Sequence, residues 1–530
     1  MTRCKREQWA GARGVVLGAT LGFILLACGE DATAPIHQTG AHETQTTNPT
    51  QPDAAEPTRA TGPSGSLPQV DASAAPDVEA SAARAQDAGN TSGALTGSDE
   101  TADRDTSPVL ARDAAISDGS TDILRGKWYS RSWGLVLEAA DGVLSSFEVT
   151  SISCRPYFVI PYQGTHIPDL GTDARLDGDE LVFDLLGTGE LRAQPIDRLP
   201  ATCNNGGTPD SDDPVLAFEI FWHNFDEMYS SFDLRGMDWD AQYRAFVDRV
   251  TEDTTPEELF ASLCEMTQPL EDPHVSVSYG EQACSKTPPE WLGDDTKVAA
   301  MLDAVQSQIY ERSNTAANGA IAYRVLPENL GYVFIPSMGS YAQTPDEDVS
   351  TAIAAIDEIV AAFAGVDGVI IDLRLNSGGS DEIAFLFASR FADQKRLAFS
   401  VQTRDGEDWS QARNYYVEPD GPVQFLGPVV LLTTQATVSA AESFELAMHE
   451  LPQVSILGEA SAGAYSNAMD RNLPNGFAFT LPFERVFAAD GKCYEGVGVK
   501  PDVEVAFDAD AFVAGTDSML EAAVAQLTGQ

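Results

Sequence analysis

The sequence predicts an α/β protein in which a largely parallel sheet covered by helices is preceded by a helical domain and a small all-β domain. From Gly331 onward, short apolar strands alternate with amphipathic helices, which is the pattern of parallel strands joined by helical crossovers. Upstream, residues 210–285 carry apolar side chains at helical spacing, and residues 120–206 carry short β-rich runs separated by turn signals. We therefore expect a β-rich domain at 120–206, a helical domain at 210–285, a connector at 286–329 and an α/β domain at 330–530.

The N-terminus has the composition of an export signal. Residues 1–27 combine a basic head with an apolar run from Val15 to Ala27 that is short for a transmembrane helix. The run closes on Leu25-Leu26-Ala27-Cys28, which resembles the lipobox of bacterial lipoproteins and implies cleavage before Cys28 and acylation of its thiol. Because no aspartate follows Cys28, the resemblance favours the outer membrane, on its periplasmic or surface face. An ordinary secretory signal cut nearby is the alternative.

Composition describes the next segment and restricts the partners of the chain. Residues 28–119 are rich in Ala, Thr, Ser, Pro, Asp and Gly with few large apolar side chains, which predicts a disordered acidic tether. The whole sequence has 32 Lys and Arg against 81 Asp and Glu, a formal net charge of −49. Nucleic acid is therefore excluded as a partner, because its binding depends on cationic side chains that displace phosphate counterions.

Five cysteines remain after Cys4 in the signal and Cys28 at its end. In an oxidising compartment, local disulfides Cys154–Cys203 and Cys264–Cys284 are plausible, which would leave Cys493 unpaired. Buried free thiols are the alternative for each of these residues.

Before the α/β domain, two segments have readable patterns. Four β-rich runs separated by Asp-Gly turns predict an antiparallel sandwich or barrel: 133–138, 146–150, 157–160 and 180–183. Three amphipathic helices follow, the first opened by Asp213-Pro214 and the third by a capping box at Thr255. The third helix leads through Asp272-Pro273-His274 into a strand.

The α/β domain alternates three predicted strands with three predicted helices. The strands are 332–335, 369–372 and 429–432, and the helices are 349–363, 381–391 and 439–450. Ligands of such folds gather at the carboxyl ends of the strands. Both the Asn376 to Gly379 turn and the Thr437 to Ser439 turn fall there.

These two turns contain the parts of an acyl-transfer site. A serine at a helix start has the next backbone amide, here that of Ala440, available to an oxyanion, and paired glycines at 378 and 379 allow a carbonyl to approach bare amides. Each feature has a structural alternative. Ser439 with Glu442 is a helix capping box, and Gly378-Gly379 is a tight turn.

Four motifs together resemble the S41 family of serine peptidases, which includes the C-terminal processing and tricorn-type enzymes. They are Thr-x-Ser-Ala-Ala-Glu at 437–442, Asp-Leu-Arg-x-Asn-x-Gly-Gly at 372–379, Gly-Glu at 458–459 and Gly-Val-Gly-Val-Lys-Pro-Asp at 496–502. The resemblance runs from about Asp213 to the C-terminus and implies an S41 (crotonase-like) core without the PDZ domain that many members carry. It makes Ser439 the nucleophile, with Gly378, Gly379 and Ala440 as the oxyanion hole.

The resemblance also indicates the general base. Processing-type members place a lysine where this chain has Ala464, so a Ser-Lys dyad is excluded at that position. Tricorn-type members use an upstream histidine, which His274 matches, and an imidazole can exchange protons near neutral pH. The resemblance further assigns Glu495 to orient the base through a serine hydroxyl, but Pro273 precedes His274 here and has no hydroxyl. The alternatives are that His274 is an ordinary turn histidine and that Glu495 is a solvated strand-end carboxylate.

Together these inferences predict a secreted, lipid-anchored serine endopeptidase that hydrolyses peptides or unfolded proteins through a Ser439 acyl-enzyme, with His274 as general base. Activity is expected to rise through roughly pH 6 to 7 as the imidazole loses its proton. No cofactor or metal is implied, because no cluster with metal-ligand spacing or phosphate-binding loop is present in the sequence. Two alternatives are a catalytically inactive member of the fold that binds a peptide or hydrophobic ligand at the cell surface, and a surface adhesion module.

Overall fold

The computed structural model describes residues 122–170, 172–184 and 189–529. The predicted signal peptide, Cys28 and the tether lie outside these residues. Throughout the described part of the chain, helices are too short or too polar to cross a bilayer.

The first described segment is a single antiparallel sheet. Its strands are β1 (Gly126–Ser130), β2 (Leu135–Ala140), β3 (Val143–Val149), β4 (Cys154–Pro161), β5 (His166–Ile167), β6 (Thr172–Asp177), β7 (Glu180–Asp184) and β8 (Glu190–Pro195). Their order is β4-β3-β2-β1-β8-β7-β6-β5. Trp128, Leu137, Leu181 and Leu191 share one apolar core. The strands therefore form one continuous sheet, and not the two facing sheets of a sandwich, while Val136, Val149 and Cys154 of the same strands lie in a second apolar cluster.

Three helices follow: α1 (Pro214–Met228), α2 (Trp239–Phe246) and α3 (Pro256–Thr267). Asp213 caps α1 by accepting the amides of Val215 and Leu216, and Thr255 and Glu258 form the capping box of α3. The chain then enters the hairpin of β9 (Ser276–Tyr279) and β10 (Gln282–Ser285).

The remaining strands and helices build the α/β part. The strands are β11 (Asn314–Ala316), β12 (Ile321–Val325), β13 (Leu330–Phe334), β14 (Gly368–Asp372), β15 (Arg396–Asp405), β16 (Asp408–Trp409), β17 (Arg413–Val417), β18 (Val429–Thr433), β19 (Val454–Gly458), β20 (Ala468–Asn472), β21 (Ala478–Pro482), β22 (Glu484–Ala488) and β23 (Val503–Glu504). The helices are α4 (Asp295–Gln308), α5 (Pro345–Ala362), α6 (Asp381–Ser389), α7 (Ala440–His449), α8 (Ala509–Val513) and α9 (Ser518–Thr528).

The central sheet has seven strands in the order β11-β12-β13-β14-β18-β19-β23. The five strands from β13 to β23 run parallel to one another. β12 is antiparallel to β13, and β11 is antiparallel to β12. Alternate side chains of β14 face opposite ways: Val369 and Ile371 pack with α5, α6 and α7, while Ile370 packs with α4 and α9. Because β14 and β18 are neighbours, the loops that leave their carboxyl ends lie side by side.

The helices α1–α3 do not have a core of their own. Phe218, Phe221 and Leu263 belong to one apolar cluster with Phe479 and Leu481 of β21. The backbone also joins these two parts of the chain, because β9 pairs with β21 in the four-stranded sheet β10-β9-β21-β20. The segment that carries His274 is thereby fixed to strands that follow Ser439 in sequence.

Two disulfide bonds join the pairs considered from the sequence, Cys154–Cys203 and Cys264–Cys284. The first closes the edge strand β4 onto the turn after β8, and the second ties α3 to β10. Cys493 is a partly buried free thiol.

Candidate active site

Ser439 lies on a strained turn between β18 and α7. Its φ is 62° and its ψ is −127°, a conformation that non-glycine residues rarely adopt. Side chains of the turn hold it to the neighbouring loop, because the hydroxyls of Thr434 and Thr437 donate to the carbonyl oxygens of Arg374 and Leu373 at 2.6 and 2.8 Å. A sharp strand-to-helix turn of this kind presents a serine hydroxyl at the edge of a sheet, as in nucleophile elbows.

Glu442 supports the backbone of this turn. Its carboxylate accepts the Ser439 amide at 3.0 Å and the amides of Gly463 and Ala464 at 2.7 and 2.9 Å. The Glu442 amide donates to the Ser439 carbonyl oxygen at 2.7 Å. Burial raises the pKa of Glu442 to about 7, although the three amides act in the opposite direction. The Glu442 carboxyl thus holds the nucleophile turn against residues 463 and 464.

The Gly378-Gly379 turn lies directly against Ser439. A Cβ atom on Gly378 would lie 2.6 Å from Ser439 Cβ and 3.1 Å from the Ala440 nitrogen. Gly378 also has a φ of 96°, so two independent constraints require glycine there. The sequence-predicted residues Ser439, Gly378 and Ala440 are therefore neighbours in space.

The amides of the glycine turn have different partners. The Gly378 amide donates to Asn376 Oδ1 at 2.9 Å, so it is already engaged, contrary to its expected use as an oxyanion donor. The Asn376 side chain is fully buried and also donates to the Ile335 carbonyl oxygen at 2.9 Å. Gly379 is exposed, and its neighbour Ser380 donates to the Met338 carbonyl oxygen. The Gly378 amide thus has an internal partner, and use of the Gly379 and Ala440 amides by a substrate carbonyl stays a prediction.

His274 lies at the entrance to β9. Its amide donates to Asp272 Oδ1 at 2.9 Å, and its carbonyl oxygen accepts the Thr480 hydroxyl at 2.7 Å. The residue is partly exposed, while its Nδ1 atom is buried and has no hydrogen-bond partner among the described residues. Burial lowers the pKa of the imidazole; the charge of Asp272 opposes this effect and that of Arg235 adds to it.

Two sets of interactions connect the His274 segment with the loops around Ser439. The carboxylate of Asp381 also acts on the imidazole, and Asp381 opens α6 immediately after the glycine turn. A second link runs through Arg235, whose guanidinium contacts Asp272 Oδ2 at 3.4 Å and the Gly463 carbonyl oxygen at 3.3 Å. Residues 463 and 464 in turn hold the Ser439 turn, so the histidine and the serine share one set of supports.

Glu495 is buried, with 4% of its surface exposed, and is not a solvated strand-end carboxylate. It accepts Arg235 Nη2 at 2.8 Å and the Tyr465 amide at 3.0 Å. Burial, followed by the charge of Asp272, raises its pKa. The relay through a serine hydroxyl has no counterpart here, because Pro273 occupies that position and the Ser276 hydroxyl pairs with Thr480 at 2.9 Å. Within the described contacts, Glu495 reaches the histidine side of the site through Arg235.

Four supporting side chains were not assigned a site role from the sequence: Arg235, Asp272, Asn376 and Glu442. Asn376 stands inside the Asn-x-Gly-Gly motif, and its spacing from Gly378 is that of an Asx turn, which could have identified it. Arg235 lies in a loop without a recognisable pattern, and only the fold reveals its partners. Among the described residues, acidic, histidine and cysteine side chains form no group suited to a metal ion.

Two family models match the chain. Residues 329–505 match peptidase family S41, and residues 216–268 match the tricorn protease C1 domain. The first match covers the Gly378 and Ser439 turns and Glu495, and the second covers α1 to α3, which precede His274.

Individual proteins give the same result. The chain is 26% identical over 176 residues to the carboxy-terminal processing protease CtpA of Bacillus subtilis, which is 33% of this chain and 35% of the relative. It is 23% identical over 238 residues to the tricorn protease of Thermoplasma volcanium, which is 44% of this chain and 21% of the relative. The chain thus spans about a third or less of these curated relatives.

A solved structure matches over a wider range. The crystal structure of a candidate peptidase from Parabacteroides merdae superposes with a TM-score of 0.51 at 26% identity, covering 60% of this chain and 97% of that one. The resemblance recognised from the four motifs is therefore confirmed over residues 329–505 for peptidase family S41 and over residues 216–268 for the tricorn protease C1 domain.

Proposed function

We propose that the chain is a serine endopeptidase that hydrolyses peptides or unfolded proteins through a Ser439 acyl-enzyme, with His274 as general base. One observation carries the proposal: Ser439 is held at a φ of 62° on a strand-to-helix turn, in contact with Gly378 and beside the Ala440 amide. Strain of about 1–3 kcal/mol at one residue persists only where its surroundings enforce it, and such residues cluster at active sites.

The first half of the reaction forms the acyl-enzyme. Ser439 Oγ attacks the carbonyl carbon of the scissile bond, and its proton passes to the imidazole of His274. The negative charge that develops on the carbonyl oxygen is met by the Gly379 and Ala440 amides at the start of α7, where the helix dipole adds to the attraction. When the carbon–nitrogen bond breaks, the imidazolium returns the proton to the departing amine.

The second half releases the acid. Water attacks the ester carbonyl and gives a proton to His274, and collapse of the intermediate returns that proton to Ser439 Oγ. Because Nδ1 of His274 is buried, Nε2 is the ring nitrogen proposed to exchange these protons. The lowered pKa of the imidazole keeps it neutral, and so able to accept a proton, at neutral pH.

An alternative function, binding a peptide without turnover, is favoured by one observation. His274 Nδ1 has no hydrogen-bond partner in the described part of the chain, whereas a catalytic imidazole is usually oriented by such a bond. Reaction with a fluorophosphonate probe separates the two functions, because only an activated serine is phosphonylated at an appreciable rate.

The test compares four proteins: wild type, Ser439→Ala, His274→Gln and Ser377→Ala. Ser377 is a partly exposed serine on the facing loop and serves as the matched control. We expect wild type and Ser377→Ala to label and to cleave an unfolded protein, and the other two to lose both properties. Labelling of Ser439→Ala equal to that of wild type would refute Ser439 as the nucleophile, and an unreactive wild type that still binds peptide would establish the binding function.

We also propose that the chain is exported and anchored by lipid on Cys28. The support is the lipobox resemblance and the long polar segment that separates Cys28 from the S41 domain. Radiolabelled palmitate should be incorporated in a bacterial host by wild type and not by Cys28→Ser. Incorporation into both proteins would place the lipid elsewhere.

A further inference from the structure

Arg235 is a buried cation that connects the two halves of the candidate site. It lies in the loop between α1 and α2, and only 5% of its side chain is exposed. Nη2 donates to Glu495 Oε1 at 2.8 Å and lies 3.4 Å from Asp272 Oδ2, while Nη1 donates to the Glu271 carbonyl oxygen at 2.7 Å. One guanidinium therefore binds the turn before His274 and the loop that follows the nucleophile.

The acidic partners of Arg235 are themselves attached to the proposed reacting groups. Asp272 Oδ1 accepts the amide of His274, and Asp272 Oδ2 accepts the Tyr229 hydroxyl at 2.8 Å. Glu495 Oε2 accepts the amide of Tyr465. The preceding residue, Ala464, accepts the Ser439 amide on its carbonyl oxygen at 3.2 Å. The connection runs from the histidine turn through Arg235 to the serine turn without leaving the protein interior.

Stability alone is a poor reason to bury this group. Two carboxylates and a guanidinium lose their hydration in the interior, and such clusters are often replaced by apolar side chains without loss of stability. The Nε atom of Arg235 is buried and has no hydrogen-bond partner within the described residues, which adds to the cost. The planar guanidinium, however, holds both acids through Nη2 and the Glu271 carbonyl oxygen through Nη1, and so fixes their positions in a way that apolar packing cannot.

We propose that Arg235 is a positioning residue of the reaction, holding the Asp272 turn and Glu495 so that His274 and Ser439 keep their mutual geometry. This inference rests on the proposed function. Arg235 contacts the supports of the two residues and not the reacting atoms, and it takes the place of the serine-hydroxyl relay that Pro273 excludes.

The charge of Arg235 should also be visible in the pH dependence. The charged groups that act on the imidazole are Asp272, Asp381 and Arg235, and Glu495 contacts the same Arg235 nitrogen, Nη2, as Asp272 does. Arg235 contributes to lowering the pKa of His274. Removing the cation therefore raises that pKa, and since the base works when neutral, the acid limb of the activity profile moves to higher pH.

The experiment measures kcat, KM and the rate of fluorophosphonate labelling from pH 5 to 9 for wild type, Arg235→Met, Arg235→Lys and Arg485→Met. Arg485 is the matched control, because it binds the Ser230 carbonyl oxygen and Asp233 of the same loop but neither Asp272 nor Glu495. Thermal unfolding of each variant is recorded in parallel.

We expect Arg235→Met to lower kcat by about 100-fold with little change in KM, and to shift its acid limb to higher pH. Arg235→Lys should keep the limb of wild type, because the charge remains. It should still lower kcat about 10-fold, because a single ammonium cannot hold the acids and the Glu271 carbonyl oxygen in the planar arrangement of the guanidinium. Arg485→Met should match wild type in both respects.

Folded Arg235 variants with the kcat and the acid limb of wild type would overturn the inference. If Arg235→Met does not fold, the test rests on Arg235→Lys, because a wild-type kcat in that folded variant would also overturn the inference. An unreactive wild type would instead overturn the proposed function, so the two failures are distinguishable.

Discussion

Replacing Gly378 by alanine tests the contact between the two strand-end turns. The new Cβ would lie 2.6 Å from Ser439 Cβ and 2.8 Å from the Val438 carbonyl oxygen, so Ser439 must move before the side chain fits. Overpacking of this kind costs about 1–3 kcal/mol, and placing alanine at a φ of 96° adds about 1–2 kcal/mol. A displacement approaching 1 Å at a reacting group costs about 100-fold in rate. We therefore expect Gly378→Ala to fold with reduced stability and to lose at least about 100-fold in kcat/KM.

The matched control is Gly365→Ala, which shares the backbone strain without the contact. Gly365 has a φ of 85°, and a Cβ there would meet nothing within 4 Å. Both variants are assayed by fluorophosphonate labelling and peptide hydrolysis at a temperature where circular dichroism shows them folded. If Gly378→Ala labels within about threefold of Gly365→Ala, the nucleophile turn tolerates the extra methyl and the reasoning from contact is refuted.

Three further results are expected. The acid limb of kcat/KM in wild type should have its midpoint below about 6.5, because burial lowers the pKa of His274; a midpoint above 7 would contradict the environment described for the imidazole. Glu445→Gln should gain stability relative to wild type, by at least about 1 kcal/mol, as the pH rises from 5 to 8 in urea unfolding. Both carboxyl oxygens of Glu445 are buried without partners among the described residues, and burial raises the pKa of this carboxyl well above 4.5. Wild type therefore loses stability as Glu445 ionises in the unfolded chain, whereas the glutamine variant does not. The same difference in unfolding free energy between the two proteins at pH 5 and pH 8 would contradict this. Replacing Cys154 and Cys203 together by serine should lower the free energy of unfolding by about 2–4 kcal/mol, given a sequence separation of 49 residues, while Ser439 still labels at 25 °C; loss of labelling in a folded variant would show that the β-rich sheet controls the site.

The core of the site could be predicted from sequence because it depends on local patterns and one topological rule. Alternating strands and helices predict parallel strands, and parallel neighbours bring their carboxyl-terminal loops together. The turns at Gly378 and Ser439 follow β14 and β18, which are such neighbours. The predicted helices also begin and end within a few residues of α5, α6 and α7, since their caps and apolar spacing are local features.

The supports of the site could not be predicted, because they join residues far apart in the chain. Arg235 meets Glu495 across 260 positions, and Thr480 meets His274 across 206. No spacing rule connects such pairs. The same reason explains why Glu495 was open to interpretation as an exposed carboxylate: its burial depends on Arg235 and Tyr465, whose proximity only the fold establishes.

The shared core of α1–α3 and β21 imposes an order of events on biosynthesis. The aromatic cluster around Phe221 and Phe225 stays incomplete until Phe479 has been synthesised, so the segment that carries His274 cannot be fixed in place before β21 is available.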